Sequence, residues 1–96
     1  MLQYIVFAWD GADEEALERR MNARPAHFEC ARKLKSNNNF IPGGAMLDDA
    51  GKMIGSTMVV QFETEEGLEE WLEKEPYIKG RVWEKFDVRP FRVAGV

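Results

Sequence analysis

Residues 40–62, FIPGGAMLDDAGKMIGSTMVVQF, decide the fold. Phe40 to Leu47 reads as an extended segment interrupted by Pro42-Gly43-Gly44. Asp48-Asp49-Ala50-Gly51-Lys52 is a hairpin turn, because aspartate bonds to nearby backbone and glycine tolerates positive φ. Met53 to Phe62 suits a strand, with Gly55-Ser56 early and Thr57 to Val60 in its middle. Two strands so close in sequence pair antiparallel. The flanks must then complete the sheet.

On the N-terminal side, Leu2 to Trp9 reads as a strand with Tyr4, Ile5, Val6 and Phe7 at its centre. Both its faces carry large apolar groups, so both want cover. Asp10-Gly11-Ala12-Asp13 breaks it. Asp13 is predicted to cap a helix, with Glu14 and Glu15 at its positive end. Leu17, Met21, Arg24, Phe28 and Ala31 recur at spacings of four and three, which predicts a buried stripe. Pro25 predicts a short helix, a kink, and a second helix to about Lys35. His27 falls on the flank of that stripe. Ser36-Asn37-Asn38-Asn39 ends the helix.

On the C-terminal side, Thr64 is predicted to cap a second helix whose buried stripe is Leu68, Trp71 and Leu72. Glu75-Pro76-Tyr77 closes it, and Ile78-Lys79-Gly80 carries the chain over. Val82 to Val93 is the last strand, where Pro90 suits a sheet edge. The order β-α-β-β-α-β predicts an α+β, ferredoxin-like fold, a four-stranded antiparallel sheet with both helices on one face. Apolar residues of the first, third and fourth strands then line the other face. A second copy, sheet to sheet, is the simplest cover, so a symmetric homodimer is expected.

The 96 residues suit one domain, and 45% apolar content is enough for a packed core. No apolar run is long enough for a membrane span. No signal peptide is visible, and Cys30 is the single cysteine, so a cytoplasmic location is expected. Thirteen basic against 17 acidic residues give a net charge of −4 without a basic cluster. Arg19-Arg20 lies among Glu14, Glu15 and Glu18, which cancels much of its field. Nucleic acid and anionic membranes are therefore not expected as partners. One histidine and one cysteine make a poor metal set, so neither metal nor cofactor is expected.

The chemistry centres on Arg24-Pro25-Ala26-His27. Imidazole is the side chain whose ordinary pKa lies near neutrality. Arg24, one turn earlier, can share its pocket and attract a small anion. A general base needs an acceptor on its far ring nitrogen. Glu75, Asp48, Asp49 and Asp87 are candidates. Glu75 is favoured because a carboxylate at a helix C-terminus, pinned by Pro76, goes against the macrodipole. Ser56 and Tyr77 can add hydroxyls. Trp9, Trp71 and Trp83 read as core or dimer anchors. Cys30, three residues from His27, could form a thiolate–imidazolium pair, although small buried cysteines are common.

Several of these pieces together resemble the YciI-like (YCII-related) proteins. They are Tyr4-Ile5-Val6, Leu17 to Arg20, Arg24-Pro25-Ala26-His27, Gly43-Gly44 with Met46, Gly55-Ser56, Glu75-Pro76-Tyr77 and Arg89-Pro90-Phe91. The resemblance spans nearly the whole chain, so residues 1–96 read as a single domain of this kind. It implies a dimeric α+β barrel with a histidine–aspartate site between sheet and helices. The histidine corresponds to His27. The family's aspartate-proline-tyrosine turn corresponds to Glu75-Pro76-Tyr77, so a glutamate, one methylene longer, stands here.

Two functions follow. One is an acid–base lyase or isomerase acting on a lactone or small carboxylate. In it His27 and Glu75 are catalytic, and Arg24, Ser56 and Tyr77 bind substrate. The other is a non-catalytic metabolite-binding or accessory dimer. Haem or quinone oxygenase chemistry, known for other dimeric α+β barrels, has no support in the sequence.

Overall fold

The computed structural model describes residues 1–96. Strand β1 spans Leu2–Asp10, helix α1 Ala16–Ser36, β2 Phe40–Leu47, β3 Met53–Phe62, α2 Glu65–Lys74, α3 Pro76–Lys79 and β4 Trp83–Phe91. The strands form one antiparallel sheet in the order β2-β3-β1-β4, which is the ferredoxin-like arrangement. No helix is long and apolar enough to cross a membrane.

The sheet's two faces follow from the two-residue period of a strand. Tyr4, Val6 and Ala8 of β1 pair with Val60, Met58 and Ser56 of β3, and all six are buried under the helices. Leu34 of α1 joins this core, with Leu68 and Trp71 of α2. Each large apolar side chain buried this way is worth about 1.5–3 kcal/mol. The opposite face carries Ile5, Phe7 and Trp9, paired with Val59, Thr57 and Gly55. Phe7 and Trp9 stay exposed there, as does Phe91.

Helix α1 departs from expectation in three ways. It runs unbroken through Pro25. A proline removes one N–H and frees the carbonyl four residues earlier. That residue, Met21, is exposed, so water can satisfy it. Asp13 does not cap the helix. Its carboxylate takes two bonds from Arg19, at 2.8 and 2.7 Å, and Glu15 stands at the cap without a side-chain bond. The predicted stripe is also on the wrong side. Leu17, Met21 and Phe28 are exposed, and the buried line is Ala16, Arg20, His27 and Leu34.

Helix α2 starts as predicted, with Thr64 accepting from the Gly67 amide. Glu75-Pro76-Tyr77 does more than end it. Pro76 opens a four-residue helix, α3, with Glu75 at its N-cap. Proline suits a first helical position because its missing N–H would be unpaired anyway.

Two backbone details place the site. The β1–β4 register shifts between Trp9 and Asp10, so Asp10 faces Trp83 while Trp9 faces Lys85. Glu84 is the extra residue of this bulge. At Gly55, a Cβ would lie 2.3 Å from the Ala8 carbonyl oxygen, so glycine lets β1 and β3 close beside Ser56.

Candidate functional site

Positions 20 and 27 of α1 are two helical turns apart and share a face. Both are polar, and both are buried beneath the sheet. Each meets a carboxylate.

The first pair is His27 and Glu75. His27 Nδ1 is hydrogen-bonded to Glu75 Oε1, and that oxygen also accepts from the Tyr77 amide at 3.1 Å. The cap of α3 therefore fixes the carboxylate that fixes the imidazole. Glu75 is 1% exposed, and its Oε2 is buried without a partner. A carboxylate at Nδ1 sets the tautomer with hydrogen there and the lone pair on Nε2. The Tyr77 ring stacks on the imidazole, with centroids 3.8 Å apart and planes within 7°. Trp83 meets it edge-on at 6.3 Å.

The second pair is Arg20 and Asp10. Arg20 Nη1 donates to both Asp10 oxygens, at 3.0 and 2.9 Å. Arg20 Nη2 donates to Ser56 Oγ at 3.0 Å, and Trp83 Nε1 donates to the same oxygen at 3.2 Å. The Arg20 guanidinium also lies over the Tyr77 ring, 4.9 Å from its centroid.

Between helix α1 and strands β2 and β3 is a cavity of about 220 Å³. Arg20, Arg24, His27, Ser56 and Tyr77 line it, with an apolar wall that includes Phe40 and Met58. Gly43 and Gly44 form part of the rim on β2. Arg24 lies 4.8 Å over the Phe28 ring and has no ion-pair partner, so its charge is free to meet an anion. Burial pushes the Tyr77 phenol above its ordinary range, against the pull of Arg20 and Arg24, so it stays protonated.

The structure thus brings His27, Glu75, Arg24, Ser56 and Tyr77 together around one cavity and its floor. Asp48 and Asp87 go elsewhere: Asp48 bonds its own turn, and Asp87 pairs with Arg89 at the surface. Cys30 is half-buried, and burial, then the nearby Glu75 charge, pushes its thiol up. It is a packed thiol, not a partner for the imidazole. Sequence reasoning missed Asp10, Arg20 and Trp83. The seven-residue spacing of Arg20 and His27 was the available signal. Asp10 also continues the inward alternation of Tyr4, Val6 and Ala8.

A model of the YCII-related domain matches residues 3–92. Protein YciI of Escherichia coli O6:H1 is 33% identical over 95 residues, covering 93% of this chain and 95% of that protein. Among solved structures, the fold is similar to 5-chloro-2-hydroxyhydroquinone dehydrochlorinase (TftG) from Burkholderia phenoliruptrix AC1100, solved with 2,5-dihydroxybenzoquinone. The TM-score is 0.80 at 18% identity, over 96% of this chain and 95% of that one. A dimeric ferredoxin-like protein of unknown function from Jannaschia sp. CCS1 matches with a TM-score of 0.61 at 11% identity, over 97% and 100% of the chains.

Proposed function

The chain belongs to the YCII-related domain family, and from that footing we propose that it is a small-molecule acid–base enzyme, a lyase or isomerase. It acts beside the carbonyl of a lactone or small carboxylate. One observation carries this reading: a buried carboxylate holds His27 at Nδ1, which leaves Nε2 free on a cavity that also presents the unpaired cation of Arg24.

In this reading Arg24 holds the substrate's negative group. Tyr77 presses against the imidazole and keeps its plane fixed. His27 Nε2 takes a proton from the carbon next to the carbonyl, and Glu75 stabilises the imidazolium that forms. Ser56 and Tyr77 offer hydroxyls to substrate oxygens. The cavity is smaller than the roughly 300–1,000 Å³ of drug-sized sites, which favours a small substrate. The dehydrochlorinase neighbour, with its dihydroxyquinone, supports a small oxygenated ring by analogy of fold.

The bare sheet face, with Phe7 and Trp9 exposed, is assigned to a second copy, in line with the dimeric neighbour. Sedimentation at twice the chain mass supports this, and a Trp9→Glu variant sedimenting as a monomer locates the contact.

The test of the chemistry is proton exchange in D₂O, followed by NMR over a panel of small keto acids and lactones. Exchange by the wild type, reduced about 10²–10⁴-fold in a folded His27→Asn variant, is the expected result. Undiminished exchange in that variant overturns the role of His27. No exchange with any compound, combined with anion binding, favours the metabolite-binding dimer.

A further inference from the structure

Ser56 is where the Arg20–Asp10 pair and the Trp83 indole converge on the cavity. Its Oγ accepts from Arg20 Nη2 at 3.0 Å and from Trp83 Nε1 at 3.2 Å. A guanidinium and an indole N–H can only donate. A hydroxyl oxygen has two lone pairs, so both are filled. The hydroxyl hydrogen is left to be given away, and Ser56 donates to no protein group. The side chain is 3% exposed and lines the cavity, so the cavity is the direction open to that hydrogen. Asp10 grips Arg20 with both oxygens, which stops the guanidinium from turning away. A hydroxyl that accepts from a cation is also a stronger donor.

We infer that Ser56 is a one-way hydrogen-bond donor that receives an oxygen acceptor of the bound molecule, and that Arg20, Trp83 and Asp10 are positioning residues that fix its proton. The ligand class follows: an oxygen acceptor, ideally an oxyanion, must sit at Ser56. A ligand N–H placed there would meet another donor and be rejected.

The catalytic part of this inference rests on the acid–base reading above. As His27 Nε2 takes the C–H proton, the C–H electron pair becomes a C=C bond. The carbonyl π pair moves onto oxygen, and that oxyanion accepts from Ser56. The proton then returns to a different atom, which is isomerisation. Alternatively, the oxyanion re-forms the carbonyl, the enolate C=C pair becomes a new C=C bond to the next carbon, and the bond to the leaving group breaks. That group departs with the bonding electrons and takes up the proton held by His27, which is elimination. Donors aimed at developing oxyanion charge are a large term in such reactions.

The test uses squarate, a planar dianion whose oxygens only accept, with binding measured by calorimetry. The wild type should bind it saturably. Ser56→Ala should weaken it about ten- to a hundredfold, the range for a hydrogen bond to a charged group. Trp83→Phe keeps the hydroxyl but frees one lone pair, so its hydrogen can turn, and binding should weaken severalfold. Unchanged affinity in S56A, or no saturable wild-type binding at millimolar squarate, overturns the inference. If circular dichroism shows S56A unfolded, the tryptophan variant decides alone, and unchanged affinity there counts against the inference. The base reading fails separately: a wild type without proton exchange, whose squarate affinity still depends on Ser56, sinks that reading and leaves the donor standing.

Discussion

Two buried pairs hang from one face of α1, and they are built to opposite ends. Arg20 and Asp10 are a cation and an anion engaged with each other and with Ser56, with the buried Arg20 Nε left without a partner. His27 and Glu75 leave bonding capacity open, at Nε2 on the cavity side and at the buried Oε2. The first pair suits a fixed charge that holds neighbours in place. The second suits a group that gains and loses a proton. A cavity between a fixed ion pair and a proton-exchanging pair has a rigid wall and a reactive wall.

The most severe way to break this contrast is Asp10→Ala. It strands the Arg20 guanidinium in a buried site, which costs about 3–5 kcal/mol. The urea midpoint should fall accordingly. Glu75→Gln should cost less, about 1–3 kcal/mol, because an amide oxygen can still accept while its NH₂ is left buried. Equal losses in the two variants would erase the distinction. Gly55→Ala sharpens it from the backbone. The added Cβ meets the Ala8 carbonyl oxygen at 2.3 Å, so the strands must part beside Ser56. We expect about 1–3 kcal/mol of destabilisation, read in the same unfolding assay.

Arg24 tests the third cation of the site. It has no carboxylate partner and only a ring contact, so Arg24→Gln should change stability by no more than about 0.5–1 kcal/mol. Its anion affinity should nevertheless drop. The smallest effect is in pH. Burial holds the Tyr77 phenol above the ordinary value near 10. As pH rises past about 10, the unfolded chain loses this proton first, so native stability declines there. Urea midpoints of wild type and Tyr77→Phe should keep a constant separation at neutral pH, and in strong alkali the wild-type midpoint should fall relative to that of the variant.

The strand framework was legible because its signals are local. The hairpin turn set the limits of β2 and β3, and Thr64 marked the start of α2. His27 was legible as the single histidine, and Glu75 by its place against the helix dipole. The rotation of α1 was not legible. Its inward face carries Arg20 and His27, while Leu17, Met21 and Phe28 face out, so hydrophobicity pointed the wrong way. Asp10 looked like a turn residue because the sequence does not show that β1 extends one residue further with the inward phase kept. Residues that serve a polar cavity break the pattern used to locate them. The short helix α3 was hidden for a related reason, since Pro76 reads equally as the end of one helix and the start of another.

The bulge opposite Asp10 selects which side chain enters the cavity floor. In an uninterrupted ladder Glu84 would stand across from Asp10, adding a third acid to a pocket that already has Glu75. The one-residue slip exports that carboxylate to solvent and admits an indole N–H instead. The electrostatic character of the pocket is thus set by counting along an edge strand. Insertion or loss of one residue there would recast its ligand preference without altering any group that touches the ligand.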